Sequence, residues 1–280
     1  MTRKKSQALS EQHQAELRWA YEHLEHPSFA ARLSDLLASP FEEVMSLLPK
    51  TWKRRVDRTA EASIGRVLNL ALTSMGRGSQ APSSDWTHKF LAVGTGAVGG
   101  FFGPLAVLAE LPVTTTLMLR SIADIARSEG EDLADVRTRL ACFQVFALGG
   151  RTRDDERAEI GYYGLRVSLG LHFTSVLEFA GAAEGVHIPA AVELARSVAA
   201  RFGVVISDAA AARMIPVAGA LSAAALNLVF MQHYQDVARG HFIVRRLERD
   251  YGIDFIRQEY EKLEAEEAEA EREFSPIEGF

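Results

Sequence analysis

The sequence predicts an all-α protein, a multi-helix bundle around a glycine-rich apolar helical hairpin. Apolar residues recur at spacings of three and four along most of the chain, which is the helical period. Patterns typical of strands are confined to residues 204–206 and 242–244, which are expected to be extended. The most distinctive segment is residues 90–109, a run of twenty uncharged residues that includes five glycines. This run is the predicted centre of the hairpin.

Four helices are predicted before Gly76. Leu17, Ala20, Tyr21 and Leu24 form one helix face, and Pro27 ends that helix. Two short helices are expected over residues 29–37 and 41–48. Thr51 is a plausible N-cap for a long helix that ends near Gly76.

The second half predicts six further helices. Pro112 is placed at the first turn of a helix that runs to residue 128, since proline is tolerated at that position. Further helices are expected over residues 132–146, 156–181 and 190–202, and over 213–249 with a break at Pro216. A highly charged helix is expected over residues 254–274. We divide the chain into an N-terminal helical extension (1–48), a main helical domain (49–255) and an acidic C-terminal helix or tail (256–280).

Composition limits the classes of function. The net charge of −6 argues against a nucleic-acid-binding protein that acts through bulk electrostatics. The single cysteine, Cys142, allows no intrachain disulfide and suits a reducing compartment. The N-terminus lacks the apolar core of a secretory signal peptide. We therefore expect a cytoplasmic protein that acts in the cytoplasm or peripherally at the inner membrane.

The apolar runs are compatible with three environments. Residues 90–109 and a second charge-poor run, 214–235, suit buried central helices, shallow membrane insertion or a transmembrane pair. Small-residue spacing allows close helix packing in any of these environments. The glycines expected to provide that packing are Gly96, Gly99, Gly100 and Gly103.

A basic helix follows Pro49 and favours a membrane surface. Its residue types are those that anionic lipid head groups attract. The expected membrane-surface residues are Trp52, Lys53, Arg54, Arg55 and Arg58. The alternative is an ordinary solvated helix face.

Charged residues on the helix after residue 110 form a candidate binding face. Arg120, Asp124 and Arg127 share one face, where two guanidinium groups could receive a phosphate or a lipid head group, or form a salt-bridge ladder. Glu110 follows the apolar run and could act as a general acid or base, or stabilise the start of a helix. The threonines at 114–116 are interpreted as an inter-helix hydrogen-bonding patch. The full set of candidate binding residues is Arg120, Arg127, Asp236, Arg239 and Arg245.

Histidines near the end of the second apolar run are candidate metal ligands. His233 and His241 could join a carboxylate in a bundle interior, as helical metal sites do. Their spacing matches neither HExxH nor a zinc-ligand pair, so no metal and no cofactor are predicted.

Two blocks of this sequence resemble the EcsC family of bacterial proteins. The first begins with the glycine-rich run and continues through ELPVTTTLMLRSIADIA at residues 110–126. The second includes Asn227 and residues 236–242, DVARGHF. The similarity covers roughly residues 45–255. It implies a mostly helical bacterial protein without a settled activity, with a role near the membrane and an ABC-transporter system as a partner by analogy.

Three functional hypotheses follow. The first is a non-enzymatic accessory protein that docks on the cytoplasmic face of the bacterial membrane. The second is a hydrolase-type enzyme with a carboxylate–histidine site, for which the candidate catalytic residues are Glu110, Asp124, His233 and His241. The third is a helical module that binds a membrane-protein partner. We expect no nucleic-acid partner, and the sequence gives no oligomeric state.

Overall fold

The structure, a computed structural model, describes residues 8–26, 29, 32, 52–73, 104–180, 189–212 and 223–274. These ranges contain helices, turns and loops but no strand, so the all-α prediction is confirmed. In chain order the helices are α1 (Glu11–Glu25), α2 (Trp52–Thr73), α3 (Pro104–Ser128), α4 (Val136–Leu148), α5 (Arg153–Arg157), α6 (Tyr162–Ala180), α7 (Pro189–Ala212), α8 (Ala223–Tyr251) and α9 (Ile253–Phe274).

Several predictions concern residues outside these ranges. The four hairpin glycines lie there, as do most of the two short helices predicted before residue 49 and the predicted break at Pro216. The glycine-rich hairpin and the domain boundaries therefore stay predictions.

Helices α3 and α8 lie side by side and run in the same direction. Gln235 Nε2 of α8 donates to Ser121 Oγ of α3 over 2.8 Å. Arg245 and Glu131 each lie ten residues further along the sequence, and Arg245 Nε donates to Glu131 Oε1 over 2.9 Å. Two contacts with the same offset fix a parallel register, so α3 and α8 begin at the same end of the bundle.

Helix α2 also begins at that end. Arg139, near the start of α4, donates to the carbonyl of Ala71 near the end of α2 (2.7 Å) and to the carbonyl of Leu133 in the loop after α3 (3.0 Å). The C-termini of α2 and α3 therefore lie together. Arg196 near the start of α7 pairs with Glu61, while Gly203 lies beside Val56, so α7 runs antiparallel to α2.

These directions define two ends of the bundle. We call the end where α2, α3 and α8 begin and α7 ends the basic end. At the opposite end, the far end, α1 begins and α8 finishes, and a 2.7 Å hydrogen bond joins His13 to Tyr251. Both apolar runs of the sequence enter described helices, α3 and α8, at the basic end.

The two stretches predicted to be extended are helical instead. Residues 204–206 lie inside α7 and residues 242–244 inside α8. Val205, Ile206, Phe242 and Val244 are buried in the common core. β-branched and aromatic residues have only a weak preference against helix, and burial between packed helices outweighs it.

The predicted start of a helix at Pro112 is also wrong. Helix α3 begins at Pro104 and contains Pro112 in its interior. The three following threonines donate to carbonyls within the same helix, Thr114 to Glu110 (3.1 Å), Thr115 to Leu111 (2.9 Å) and Thr116 to Pro112 (2.9 Å). These bonds to residue i−4 replace the inter-helix patch expected for the triplet.

The centre of the core is aromatic, and the segment just after α4 packs closely against α7 and α8 there. Tyr234 of α8 packs with Phe146 of α4 and Phe202 of α7, at ring-centroid distances of 5.6 and 5.7 Å. After α4 ends, a Cβ on Gly149 would overlap the Tyr234 ring, and one on Gly150 would overlap the carbonyl oxygen of Arg201. Only glycine fits this crossing.

We expect Gly150→Ala to lower the free energy of unfolding by about 1–3 kcal/mol, because the new methyl group meets backbone that cannot rotate away. Gly170→Ala is the matched control, since no atom lies within 4 Å of its Cβ position in α6. That change should raise stability by about 0.5–1 kcal/mol. Urea unfolding of both variants measures the difference, and equal midpoints would contradict the close crossing.

Candidate functional site

The start of α2 presents exposed arginines at the basic end. Arg54, Arg55 and Arg58 are exposed, and among the described residues no carboxylate pairs with Arg54 or Arg58. Trp52 is buried at 6% exposure and belongs to the core. The Lys53 side chain lies outside the described set. Of the predicted membrane-surface residues, the three arginines thus face solvent and the tryptophan does not.

Apolar side chains are exposed at the same end. Val113 of α3 is 53% exposed and Leu228 of α8 is 69% exposed. The register set by Ser121 and Gln235 places them at a similar height, about 12 Å along the axes from that contact. The basic end therefore combines exposed positive charge with exposed apolar side chains.

A buried carboxylate that the sequence reading missed, Asp208, lies one turn before the end of α7. Its exposure is 8%, and burial raises its pKa to about 7. The nearby Tyr234 hydroxyl is buried and has no hydrogen-bond partner among the described residues. Burial together with the Asp208 charge raises the pKa of Tyr234. The signal in the sequence is a lone aspartate that follows Ile206 and precedes a run of alanines. Helical spacing places this aspartate near the core.

The candidate residues on α3 are distributed along its length. Arg127 donates to Asp124 over 2.7 Å, and both side chains are more than half exposed. This is the expected surface ion pair, which is worth little stability. Arg120 is exposed and Glu110 half-buried. Fourteen residues of helix separate Glu110 from Asp124, a rise of about 21 Å.

The candidate histidines on α8 are enclosed by structural partners. His233 Nε2 donates to the Gly149 carbonyl over 2.6 Å, and burial lowers its pKa to about 4. His241 Nδ1 shares a 2.9 Å hydrogen bond with the Tyr162 hydroxyl. Burial and the charges of Arg166 and Arg245 hold the pKa of His241 well below its ordinary value. Both imidazoles are therefore neutral near pH 7.

The remaining candidate binding residues also have partners within the fold. Asp236 accepts from Arg32 over 2.7 Å, and Arg239 lies over the Trp19 ring. Arg245 binds Glu131, whose side chain is only 4% exposed. Burial acts to raise the pKa of Glu131, but hydrogen bonds and charge from arginines outweigh it, so the pKa lies below its ordinary value. The Arg245–Glu131 contact stabilises the far end, where Arg249 also reaches Glu131.

A second polar cluster joins α1, α6, α8 and α9, and it too was missed from sequence. Arg166 forms a two-pronged ion pair with Glu248, at 2.7 and 2.9 Å. The Tyr163 hydroxyl donates to the same carboxylate over 3.0 Å. Tyrosines from three different helices meet here, and only the folded structure brings them together. We call this set the tyrosine–arginine cluster: Tyr21, Tyr162, Tyr163, Tyr260, Arg151, Arg166, Glu25, Glu248 and His241.

The structure does not gather the four candidate catalytic residues into one place. Glu110 and Asp124 lie far apart on α3, and eight residues of α8 separate His233 from His241, a rise of about 12 Å. Within the described ranges no group of three or more histidine, cysteine, aspartate or glutamate residues is arranged to hold a metal ion. Within those same ranges no helix has the length and apolarity needed to cross a membrane.

Asp208 gives a pH-dependent prediction. Its pKa is higher folded than unfolded, so the folded state holds the proton more tightly and stability falls as pH rises from about 4 to about 7. Asp208→Asn should remove this loss and raise the free energy of unfolding at pH 8 by up to about 4 kcal/mol. It should leave stability below pH 4 nearly unchanged. Unfolding curves at both pH values test this, and a variant less stable than wild type at pH 8 would refute it.

The comparisons with known proteins define the family. The EcsC protein family model matches residues 10–247, which includes α1 and nearly all of α8 and excludes α9. Searches of curated proteins and of solved structures give no match. The chain belongs to the EcsC protein family.

Proposed function

We propose that this EcsC-family protein is a non-enzymatic accessory protein that docks peripherally, through its basic end, on the anionic cytoplasmic face of the bacterial membrane. The observation that carries the proposal is the placement of Arg54, Arg55 and Arg58 at the end of the bundle where both apolar runs enter. Positive charge and apolar surface together are what an anionic lipid surface attracts.

The charge distribution supports this orientation. The whole chain is negative, so attraction to anionic lipid has to come from a local patch. Each arginine near such a surface contributes about 1 kcal/mol, so three contribute about 3 kcal/mol. That is about a hundredfold in affinity. The term is long-ranged and screened by salt.

Exposed apolar side chains would add a short-ranged term. Val113 and Leu228 lie at the same end of the bundle as the arginines, and their burial among lipid chains is favourable by about 25 cal/mol for each Å² removed from water. The charge term orients the protein and the apolar term retains it. The hydrolase alternative has weaker support, because Glu110, Asp124, His233 and His241 share no pocket that could hold one substrate.

Removal of the three charges should reduce membrane binding. The variant Arg54→Gln/Arg55→Gln/Arg58→Gln is expected to bind vesicles with 30% phosphatidylserine about a hundredfold more weakly at low salt. Flotation with such vesicles measures it. The matched control is Arg137→Gln/Arg157→Gln/Arg272→Gln, which removes the same charge from exposed arginines elsewhere.

The proposal fails if both triple variants bind like the wild-type chain, or if the wild-type chain does not bind these vesicles at low salt. Capture by membrane extracts without capture by protein-free vesicles would favour the membrane-protein partner instead. Neutral phosphatidylcholine vesicles serve as the lipid control.

The apolar term gives a second prediction. Leu228→Ser should weaken vesicle binding severalfold and make the remainder more sensitive to salt, because the salt-independent part is lost. Leu171→Ser is the control, since Leu171 is 71% exposed and lies five residues beyond Arg166, which pairs with Glu248 near the far end. Equal effects of the two substitutions would show that Leu228 does not meet the membrane.

A further inference from the structure

Helix α9 lies beyond the residues matched by the family model and is attached through one unusual residue. Gly252 is the single residue between α8 and α9, and its φ of +97° is a conformation that other residues rarely adopt. The Gly252 N–H donates to the Glu248 carbonyl, and Ile256 N–H donates to the Gly252 carbonyl. These are helix-type bonds on both sides of the bend, so one backbone rotation separates the bent form from a continuous helix.

The surface under α9 holds it through two fully buried side chains and several polar contacts. Tyr260 is 1% exposed, and its hydroxyl donates to Glu25 Oε1 over 3.0 Å. Its ring packs at 5.1–5.6 Å from those of Tyr21, Tyr162 and Tyr163. Ile256 is the other fully buried side chain of α9. We call this surface of α1 and α6 the α9 groove.

The outer half of α9 is held by exposed charge pairs with α1. Arg18 pairs with Glu266 at 3.1 Å, and His26 and the Tyr21 hydroxyl both contact Glu267. Exposed pairs of this kind contribute little stability. Residues 259–273 carry eight glutamates, and like charges one turn apart weaken a helix. The outer half of α9 therefore depends on its docking and is held weakly.

We propose that α9 is an exchangeable arm, and that the α9 groove also accepts α9 of a second copy of this chain. The groove offers an acceptor for a tyrosine hydroxyl and basic donors for two adjacent carboxylates, which is the chemistry α9 itself carries. Straightening at Gly252 produces a continuous helix over residues 223–274, about 78 Å long, which carries Tyr260 away from its own groove. Two such chains can each fill the groove of the other.

The balance between the two forms depends on the bend and on concentration. Each α9 makes the same groove contacts in the closed monomer and in the exchanged dimer. Intramolecular docking acts at an effective concentration near the millimolar range, so the closed monomer dominates in dilute solution. Any change that disfavours the bend at Gly252 should shift the balance towards the dimer.

Substitution at Gly252 tests the proposal. Alanine disfavours positive φ and favours helix, whereas asparagine tolerates positive φ. Light scattering after size exclusion, from about 10 μM to about 1 mM, should show a dimer for Gly252→Ala at concentrations at least about tenfold below those needed by Gly252→Asn or wild type. Gly170→Ala should behave as wild type.

Amide exchange of the dimer identifies how it forms. In an exchanged dimer α9 remains protected while the amides of residues 253–255, which lie between the two helix-type bonds at the bend, gain protection. A dimer with an unchanged turn at Gly252, a monomeric Gly252→Ala variant with α9 still protected, or a monomeric variant with α9 freely exchanging would each overturn the proposal. If Gly252→Ala does not fold, the concentration series of the wild-type chain tests the proposal. A wild-type chain that forms no dimer near 1 mM contradicts the proposed exchange.

Discussion

The parallel pairing of α3 with α8 is the constraint on which the rest of the structure depends. Two contacts set it, Gln235 with Ser121 in the middle and Arg245 with Glu131 at the far end. Because both helices begin at the same end, the described parts of the two apolar runs lie at that end. Since α2 begins there as well, its exposed arginines share that end.

Buried carboxylates have different surroundings at the two ends of the bundle. At the far end and in the tyrosine–arginine cluster, buried carboxylates meet arginines, as buried charge requires. At the basic end Asp208 is buried without such an arrangement among the described residues, and its pKa rises to about 7. A buried carboxylate that retains its proton near neutral pH weakens the bundle end nearest the proposed membrane contact as pH rises.

Local patterns predicted which segments are helical, because apolar residues such as Leu17 and Leu24 recur with the helical period. They failed where tertiary packing decides. Residues 204–206 and 242–244 read as strands but are helical, since burial between helices outweighs β-propensity. Pro112 read as a helix start but lies within α3. The candidate site was less predictable. The exposure of Arg54 and Arg58 followed from their spacing. The burial of Trp52 and Asp208 depends on contacts distant in sequence, and so does the meeting of Tyr21, Tyr162 and Tyr260.

The central claim is that the basic end faces the membrane. The accessibility of spin labels to oxygen and to a nickel complex, measured with anionic vesicles, tests it most directly. Cys142 is fully buried and burial raises the pKa of its thiol to about 12, so labels attach to cysteines introduced at exposed positions. Labels at positions 113 and 228 should become accessible to lipid-dissolved oxygen and shielded from a water-soluble nickel complex, while labels at 167 and 171 stay aqueous. Lipid contact at 167 and 171 with none at 113 and 228 would contradict the orientation.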